Sequence, residues 1–279
     1  MKKNLPHRTT DSCAHNCEGL GSRSRATAIR QSLNWPLIRR LADYSSKAYH
    51  HATVTDRSTD AQALVTMTHD GVVVAFRGSS SPQDFLQDAK FDMEPLAYLR
   101  NNSAQPCTVR VHRGFLEDFD ALNVAVVTQV RNSLATFQRV SPHPKIYITG
   151  HSLGGALAIL CALEFSRQQL KPESVITFGQ PRVGNAAFAG IYNRALGDRT
   201  FHIINANDPV PLLPPLLAGY RDEGNEVFLP AHSGYALNPS IGFEIVSDVL
   251  GALASWRKRK LAFIPKHLMK AYLERIQLA

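Results

Sequence analysis

The segment Gly150-His151-Ser152-Leu153-Gly154 sets a serine two residues from a glycine on either side. An apolar, β-rich run at 145–149 leads directly into it, and an Ala- and Leu-rich run to about residue 169 leads out. A serine on so short a link between strand and helix matches the nucleophile elbow, whose sharp turn presents the hydroxyl for attack on an electrophile. Side chains at 150 and 154 would collide with the neighbouring strand and helix, so glycine suits both positions. The competing reading is a Gly-rich turn that binds phosphate at a helix N-terminus. Neither a GxGxxG nor a Walker pattern supports it.

A serine hydroxyl is a weak nucleophile until a base accepts its proton, and the base needs a carboxylate to fix its tautomer and stabilise the imidazolium. On a fold with this elbow the chain order is serine, acid, histidine. Asp208 closes Asn205-Ala206-Asn207-Asp208 just past a predicted strand at 201–205, where a strand-end loop can aim a carboxylate at the site. Asp198 and Asp222 are the weaker competitors, and an Asp-Pro turn is the bland reading of Asp208. Only His232 and His267 follow Asp208. His232 lies among turn residues and His267 opens a predicted last helix, so chain position favours His267 slightly and leaves both open.

The elements needed to position these groups are legible as runs. Residues 63–68 and 72–77 are β-rich and separated by His69-Asp70-Gly71, which predicts a hairpin. Leu116, Phe119, Val126, Val130, Leu134 and Phe137 recur at helical spacing. Further strands are predicted at 145–149, 175–178 and 201–205, and helices at 153–169, 185–195, 241–254 and 267–277. Residues 205–220, with Pro209, Pro211, Pro214 and Pro215, read as a loop. Strands alternating with helices imply an α/β three-layer sandwich around a central mixed, mostly parallel sheet.

The chain has 279 residues and 44% hydrophobic content, enough for one sizeable core. Its net charge of +8 is uneven. Residues 1–30 carry +4 and residues 255–279 carry +6, leaving −2 between them. The first 30 residues read as a basic, Ser/Thr-rich arm, with a single domain over 31–279. The basic ends, Arg257-Lys258-Arg259-Lys260 above all, read as a solvated surface, with no nucleic-acid partner expected. No apolar run reaches the length of a transmembrane helix. The arm also lacks the apolar run of a secretory signal, so a cytoplasmic location is the expectation. Cys13 and Cys17 sit near His7 and His15, but no second cysteine pair completes a zinc pattern, and neither a metal nor a cofactor is expected.

Several segments in order resemble the class 3 lipase family, related to filamentous-fungal triacylglycerol lipases. They are 74–81 (VAFRGSSS), 111–115 (VHRGF), 148–155 (ITGHSLGG), 177–185 (TFGQPRVGN) and 207–211 (NDPVP), within a similarity that covers about residues 35–278. The resemblance implies an α/β-hydrolase fold and acylglycerol ester hydrolysis at a lipid–water interface. It assigns Ser152 as nucleophile, Asp208 as acid and His267 as base, since His267-Leu-Met-Lys-Ala-Tyr272 resembles the family's terminal His-x-x-x-x-Tyr. It also implies an oxyanion hole from Leu153 and Ser79, and a lid over 81–95. Phe85, Leu86, Ala89 and Met93 give that lid an apolar face. Lys266 and Asp222 depart from the pattern, where an acidic residue and a histidine often stand. An esterase acting on small or aryl esters is the alternative activity, and a non-enzymatic lipid-binding protein the more distant one.

Overall fold

A computed structural model describes residues 33–79, 91–97, 108–138, 143–206, 208–230, 234–239 and 264–279. Residues 34–279 form one compact unit. Its elements in chain order begin with α1 (Trp35–Lys47), β1 (Val54–Thr55), β2 (Gln62–Met67), β3 (Gly71–Phe76), β4 (Met93–Pro95), β5 (Arg110–His112) and α2 (Arg113–Phe137). Next come β6 (Lys145–His151), α3 (Leu153–Arg167), β7 (Ser174–Phe178), β8 (Gly184–Asn185), α4 (Ala186–Leu196) and β9 (Thr200–Asn205). The chain closes with β10 (Tyr220–Arg221), β11 (Asn225–Leu229), β12 (Ala236–Leu237), α5 (Ile264–His267) and α6 (Met269–Ile276).

Eight strands form the main sheet in the order β1-β2-β3-β6-β7-β9-β11-β12. β3, β6, β7, β9 and β11 run parallel, while β1, β2 and β12 are antiparallel additions at the edges. Parallel strands need helices on both faces, and β6 shows how the sequence supplies them. Successive side chains on a strand point to opposite faces. Ile146 and Ile148 enter the core cluster with Phe119, Val126 and Leu157 of α2 and α3. Tyr147 and Thr149 face α1, where Arg40 lies over the Tyr147 ring at 4.6 Å and Ser45 Oγ meets Thr149 Oγ1 at 2.8 Å. The same alternation turns His151 toward the α1 side. Its neighbour Ser152 leaves the strand at the turn.

Helix α1 was not among the predicted elements, although its signals are present. The Asn34 side chain accepts from the Leu37 N–H at 3.0 Å, Pro36 occupies the first turn, and Ile38, Leu41, Ala42 and Ser45 form the buried stripe. A second sheet, β10-β8-β5-β4, was also not foreseen, since its strands are only two or three residues long. The proline-rich loop after Asp208 is tied down rather than open. The Arg182 N–H donates to Leu213 O at 2.7 Å, and its guanidinium donates to Leu212 O at 2.6 Å. The predicted helix at 241–254 and the basic run 257–260 lie outside the described residues.

Candidate active site

Ser152 sits at φ 58, ψ −131, the left-handed side of backbone space that side-chain-bearing residues rarely occupy. The two flanking glycines make the turn possible. A Cβ on Gly150 would fall 2.1 Å from Gly154 O, and one on Gly154 would fall 2.2 Å from Phe76 O in β3. The turn is packed so closely between β3, β6 and α3 that neither position admits a side chain. Gly155 leaves similar room for Gln180, whose Cβ would lie 2.8 Å from a Cβ added there.

Ser152, Asp208 and His267, spread over 116 residues of sequence, meet at the C-terminal ends of β6 and β9. His267 Nε2 is 2.7 Å from Ser152 Oγ, and His267 Nδ1 is 2.8 Å from Asp208 Oδ2. A carboxylate only accepts, so Nδ1 carries the proton and Nε2 is left to accept from the serine hydroxyl. All three are buried, at 1%, 4% and 1% exposure for Ser152, Asp208 and His267.

Further donors hold the acid. Val210 N–H donates to Asp208 Oδ1 at 3.0 Å, and the Tyr272 hydroxyl donates to Oδ2 at 2.5 Å. Tyr272 in turn accepts from the Asn205 N–H at 3.2 Å. Burial, then the adjacent carboxylate, push the Tyr272 phenol well up, so it stays a donor. Gly179 floors the group at φ +56. A Cβ there would stand 2.8 Å from Tyr272 Oη and 2.9 Å from Asp208 Oδ2.

The competing acids point elsewhere. Asp198 pairs on the surface with Arg199, and Asp222 pairs with the buried Arg182 at 2.6 Å. His232 lies outside the described residues, as do Phe85, Leu86 and Ala89. Met93 is in β4, paired with His112 of β5, so the end of the 81–95 segment is strand rather than helix. His267 does not open the last helix as predicted. It ends α5, and Leu268, extended at φ −61, ψ 140, breaks the chain before α6.

Leu153 is the first residue of α3, where backbone N–H groups have no acceptor within the helix. Gly78 brings the Ser79 turn alongside, since a Cβ on Gly78 would lie 3.2 Å from the Ser152 Cβ. Two regions of potential oxyanion donors therefore flank the serine. Among the described residues no cluster of histidine, cysteine and acidic side chains is arranged to hold a metal.

Behind the elbow lies a buried polar network that sequence reasoning missed. Thr177 Oγ1 donates to Gln180 Oε1 at 2.7 Å, Gln180 N–H donates to His202 Nε2 at 2.9 Å, and Gln180 Nε2 reaches Glu223 Oε2 at 3.4 Å. Burial lowers His202 to about 3, so it is neutral. Glu223 is 2% exposed and its Oε1 has no hydrogen-bond partner among the described residues. Burial first, and the Asp222 charge second, push its carboxyl well above 4.5.

That shift makes stability fall with pH. Above 4.5 the unfolded chain releases the Glu223 proton while the folded chain keeps it, so stability present below 4.5 is lost as pH rises toward the folded-state value. Glu223→Gln, a neutral near-isostere, is expected to melt several degrees above wild type at pH 8, with the gain gone at pH 4. Thermal melts at the two pH values check this. An equal difference at both would reject it.

A serine presented on a strand-to-helix elbow, with a histidine and a carboxylate in line behind it, on a mostly parallel sheet covered by helices on both faces, defines the α/β-hydrolase class. The chain belongs to the class 3 lipase family, whose characteristic region matches residues 73–218, just over half of it. It is 34% identical over 180 residues to a lipase of Rhizomucor miehei, covering 62% of this chain and 46% of that protein. It is 31% identical over 158 residues to the secreted mono- and diacylglycerol lipase 1 of Fusarium solani, covering 57% and 44%. This chain spans about half the length of the curated relatives it matches. The structure is similar, at a TM-score of 0.60 and 28% identity, to a triacylglycerol lipase in which a serine protease triad forms the catalytic centre. That match covers 72% of this chain and 82% of the lipase.

The relatives correct the expected location. Those from Fusarium solani, Malassezia globosa and Penicillium cyclopium are named as secreted, which conflicts with a cytoplasmic protein. The cytoplasmic expectation rested on the composition of 30 residues alone. Among the described residues no helix is long and apolar enough to cross a membrane.

Proposed function

We propose that this protein hydrolyses the carboxylic esters of acylglycerols through an acyl-enzyme on Ser152. The observation that carries the reading is the pair of contacts made by one imidazole, His267 Nε2 to Ser152 Oγ at 2.7 Å and Nδ1 to Asp208 Oδ2 at 2.8 Å. Ser152 Oγ attacks the ester carbonyl as Nε2 takes its proton, and Asp208 stabilises the imidazolium. The Leu153 N–H and the Ser79 turn receive the oxyanion. His267 then gives the proton to the departing alcohol, and the bond from the carbonyl carbon to that alcohol breaks. A water, deprotonated by the same nitrogen, releases the acid and restores the serine. The matches to acylglycerol lipases support glycerides over small or aryl esters as substrate.

Fluorophosphonate labelling of Ser152, with titration of fatty acid released from emulsified tributyrin set against p-nitrophenyl acetate, tests the reading. Labelling at Ser152 with faster turnover of the glyceride is the expected result. Hydrolysis of the aryl ester alone would transfer the assignment to the esterase reading.

Action at a lipid surface is the second element of the proposal. Ser152 is 1% exposed, so an ester has to descend below the surface to reach Oγ. Leu216 and Leu217 also stand exposed on the loop after Asp208, available to an apolar surface. The segment after Ser79 carries Phe85 and Leu86, and burying such side chains is worth roughly 1.5–3 kcal/mol each. A lipid surface shifts a closed form toward an open one only by its differential affinity for the two. The rate is therefore expected to jump several-fold as tributyrin passes its solubility limit. Phe85→Ser with Leu86→Ser is expected to flatten that jump. A smooth saturation curve through the limit in wild type would reject the lid and leave the Ser152 chemistry standing.

A further inference from the structure

His151, between Gly150 and the nucleophile, is a second buried histidine that the triad does not use. Its ring lies 4.7 Å from that of His267, centroid to centroid. Contact between the two is not through the His267 ring nitrogens. His151 Nε2 is 2.6 Å from the backbone carbonyl of His267, and His151 Nδ1 is 2.8 Å from Tyr49 Oη. A carbonyl only accepts, so Nε2 carries the proton and Nδ1 accepts from the tyrosine hydroxyl. Both groups hold these roles across the working pH range. Burial lowers His151 to about 3, keeping it neutral, and burial raises Tyr49 to about 12, keeping it protonated.

The other side of Tyr49 reaches the oxyanion turn. Gly78 packs against its hydroxyl so closely that a Cβ there would fall 2.3 Å from Oη. The donors run in one direction, from Tyr49 Oη–H to His151 Nδ1 and from His151 Nε2–H to the His267 carbonyl. The chain ends where the base needs it. His267 terminates α5 and the extended Leu268 follows, so no continuous helix fixes the backbone that carries the imidazole.

We propose that Tyr49 and His151 are positioning residues, forming a buried hydrogen-bond chain that packs against the oxyanion turn at Gly78 and holds the backbone of His267 in one register about Ser152. The register of β6 makes this possible. Residues 147, 149 and 151 share the face toward α1, so the residue before the nucleophile points at the chain just past α1, where Tyr49 stands. A displacement of about 1 Å in a reacting group can cost on the order of 100-fold in rate. A clamp on the base's own backbone acts on that scale without touching substrate.

The inference rests on the triad reading, and the test separates the two. The full chain is assayed on p-nitrophenyl butyrate below its solubility limit, with a thermal melt for each variant. Tyr49→Phe removes the bond to His151 Nδ1 and the hydroxyl that packs on Gly78, and is expected to lower kcat about three- to tenfold with KM unchanged. His151→Phe removes both bonds at similar ring volume and is expected to lower kcat on the order of 100-fold. His151→Gln restores a donor near the Nε2 position and is expected to recover at least about tenfold of that loss. The Tyr49→Phe/His151→Phe double variant is expected to be no worse than His151→Phe alone, because residues of one chain are not additive.

Independent, additive losses would overturn the proposal, as would a His151→Gln no better than His151→Phe or losses that fall on KM. If His151→Phe fails to fold, Tyr49→Phe decides: a wild-type kcat overturns the proposal, and a reduced kcat at unchanged KM supports it. Ser152→Ala run alongside distinguishes the failures. Activity persisting there overturns the triad and the chain with it, whereas inactive Ser152→Ala beside fully active Tyr49→Phe and His151→Phe overturns the chain alone.

Discussion

Ser152→Ala is expected to lower ester hydrolysis by on the order of 10⁵-fold or more in kcat while the protein still folds. In the proposed mechanism the hydroxyl oxygen is the atom that bonds to the acyl carbon, and among the described residues no other side chain bonds to His267 Nε2. Alanine keeps the Cβ and removes only the oxygen, so the packing between Gly150 and Gly154 is preserved. The backbone strain is preserved too. Ser152 at φ 58 occupies a conformation that costs about 1–3 kcal/mol for a residue with a side chain. Ser152→Gly relieves it and is expected to melt at or above Ser152→Ala, equally inactive. Titration of released fatty acid and a melt of each variant check both halves. Activity of Ser152→Ala within tenfold of wild type would remove the serine from the chemistry.

The elbow that carries Ser152 was legible in the sequence because everything that makes it special is local. Gly150, Ser152 and Gly154 are spaced by the turn itself, and the steric reasons for the two glycines, collisions with Gly154 O and Phe76 O, are recorded in the residue types. Asp208 was legible one step less directly, from chain order and its place past β9. The choice between His232 and His267 was not a local matter. What singles out His267 is contact with residues 115 and 59 positions away, and resemblance to a family supplied it where periodicity did not.

The unforeseen side chains share one physical cause. Tyr49, His151 and Glu223 take their roles from partners distant in sequence, and a lone tyrosine after a helix or a histidine in a strand carries no spacing that announces this. β4, β5, β8 and β10 are too short to show the two-residue alternation of a strand. Helix α1 is different, since Asn34 and Pro36 mark its start and the i, i+3, i+4 stripe from Ile38 marks its face. The kink at Leu268 had no residue signal, being neither glycine nor proline. It is a tertiary outcome, in which the carbonyl of His267 bonds to His151 instead of continuing a helix.

His267→Ala is expected to cost on the order of 10³-fold or more in kcat, while His232→Ala keeps most of the wild-type rate. Without the imidazole the Ser152 hydroxyl loses its one side-chain partner among the described residues, and the Asp208 carboxylate, still held by Val210 N–H and Tyr272, faces the space it leaves. The loss is chemical rather than one of binding, so KM is expected to change little. The sharper form of the test uses the coupling between the two residues. A nucleophile and its base act as one unit, so adding His267→Ala to Ser152→Ala is expected to cost almost nothing further. Burst kinetics with a fluorophosphonate give the same ordering independently, because labelling of Ser152 needs the base that hydrolysis needs: labelling is expected to slow in His267→Ala and to proceed at the wild-type rate in His232→Ala. The reverse ranking of the two histidines, in both hydrolysis and labelling, would move the base to His232 and leave the 2.7 Å contact between His267 and Ser152 without a catalytic role.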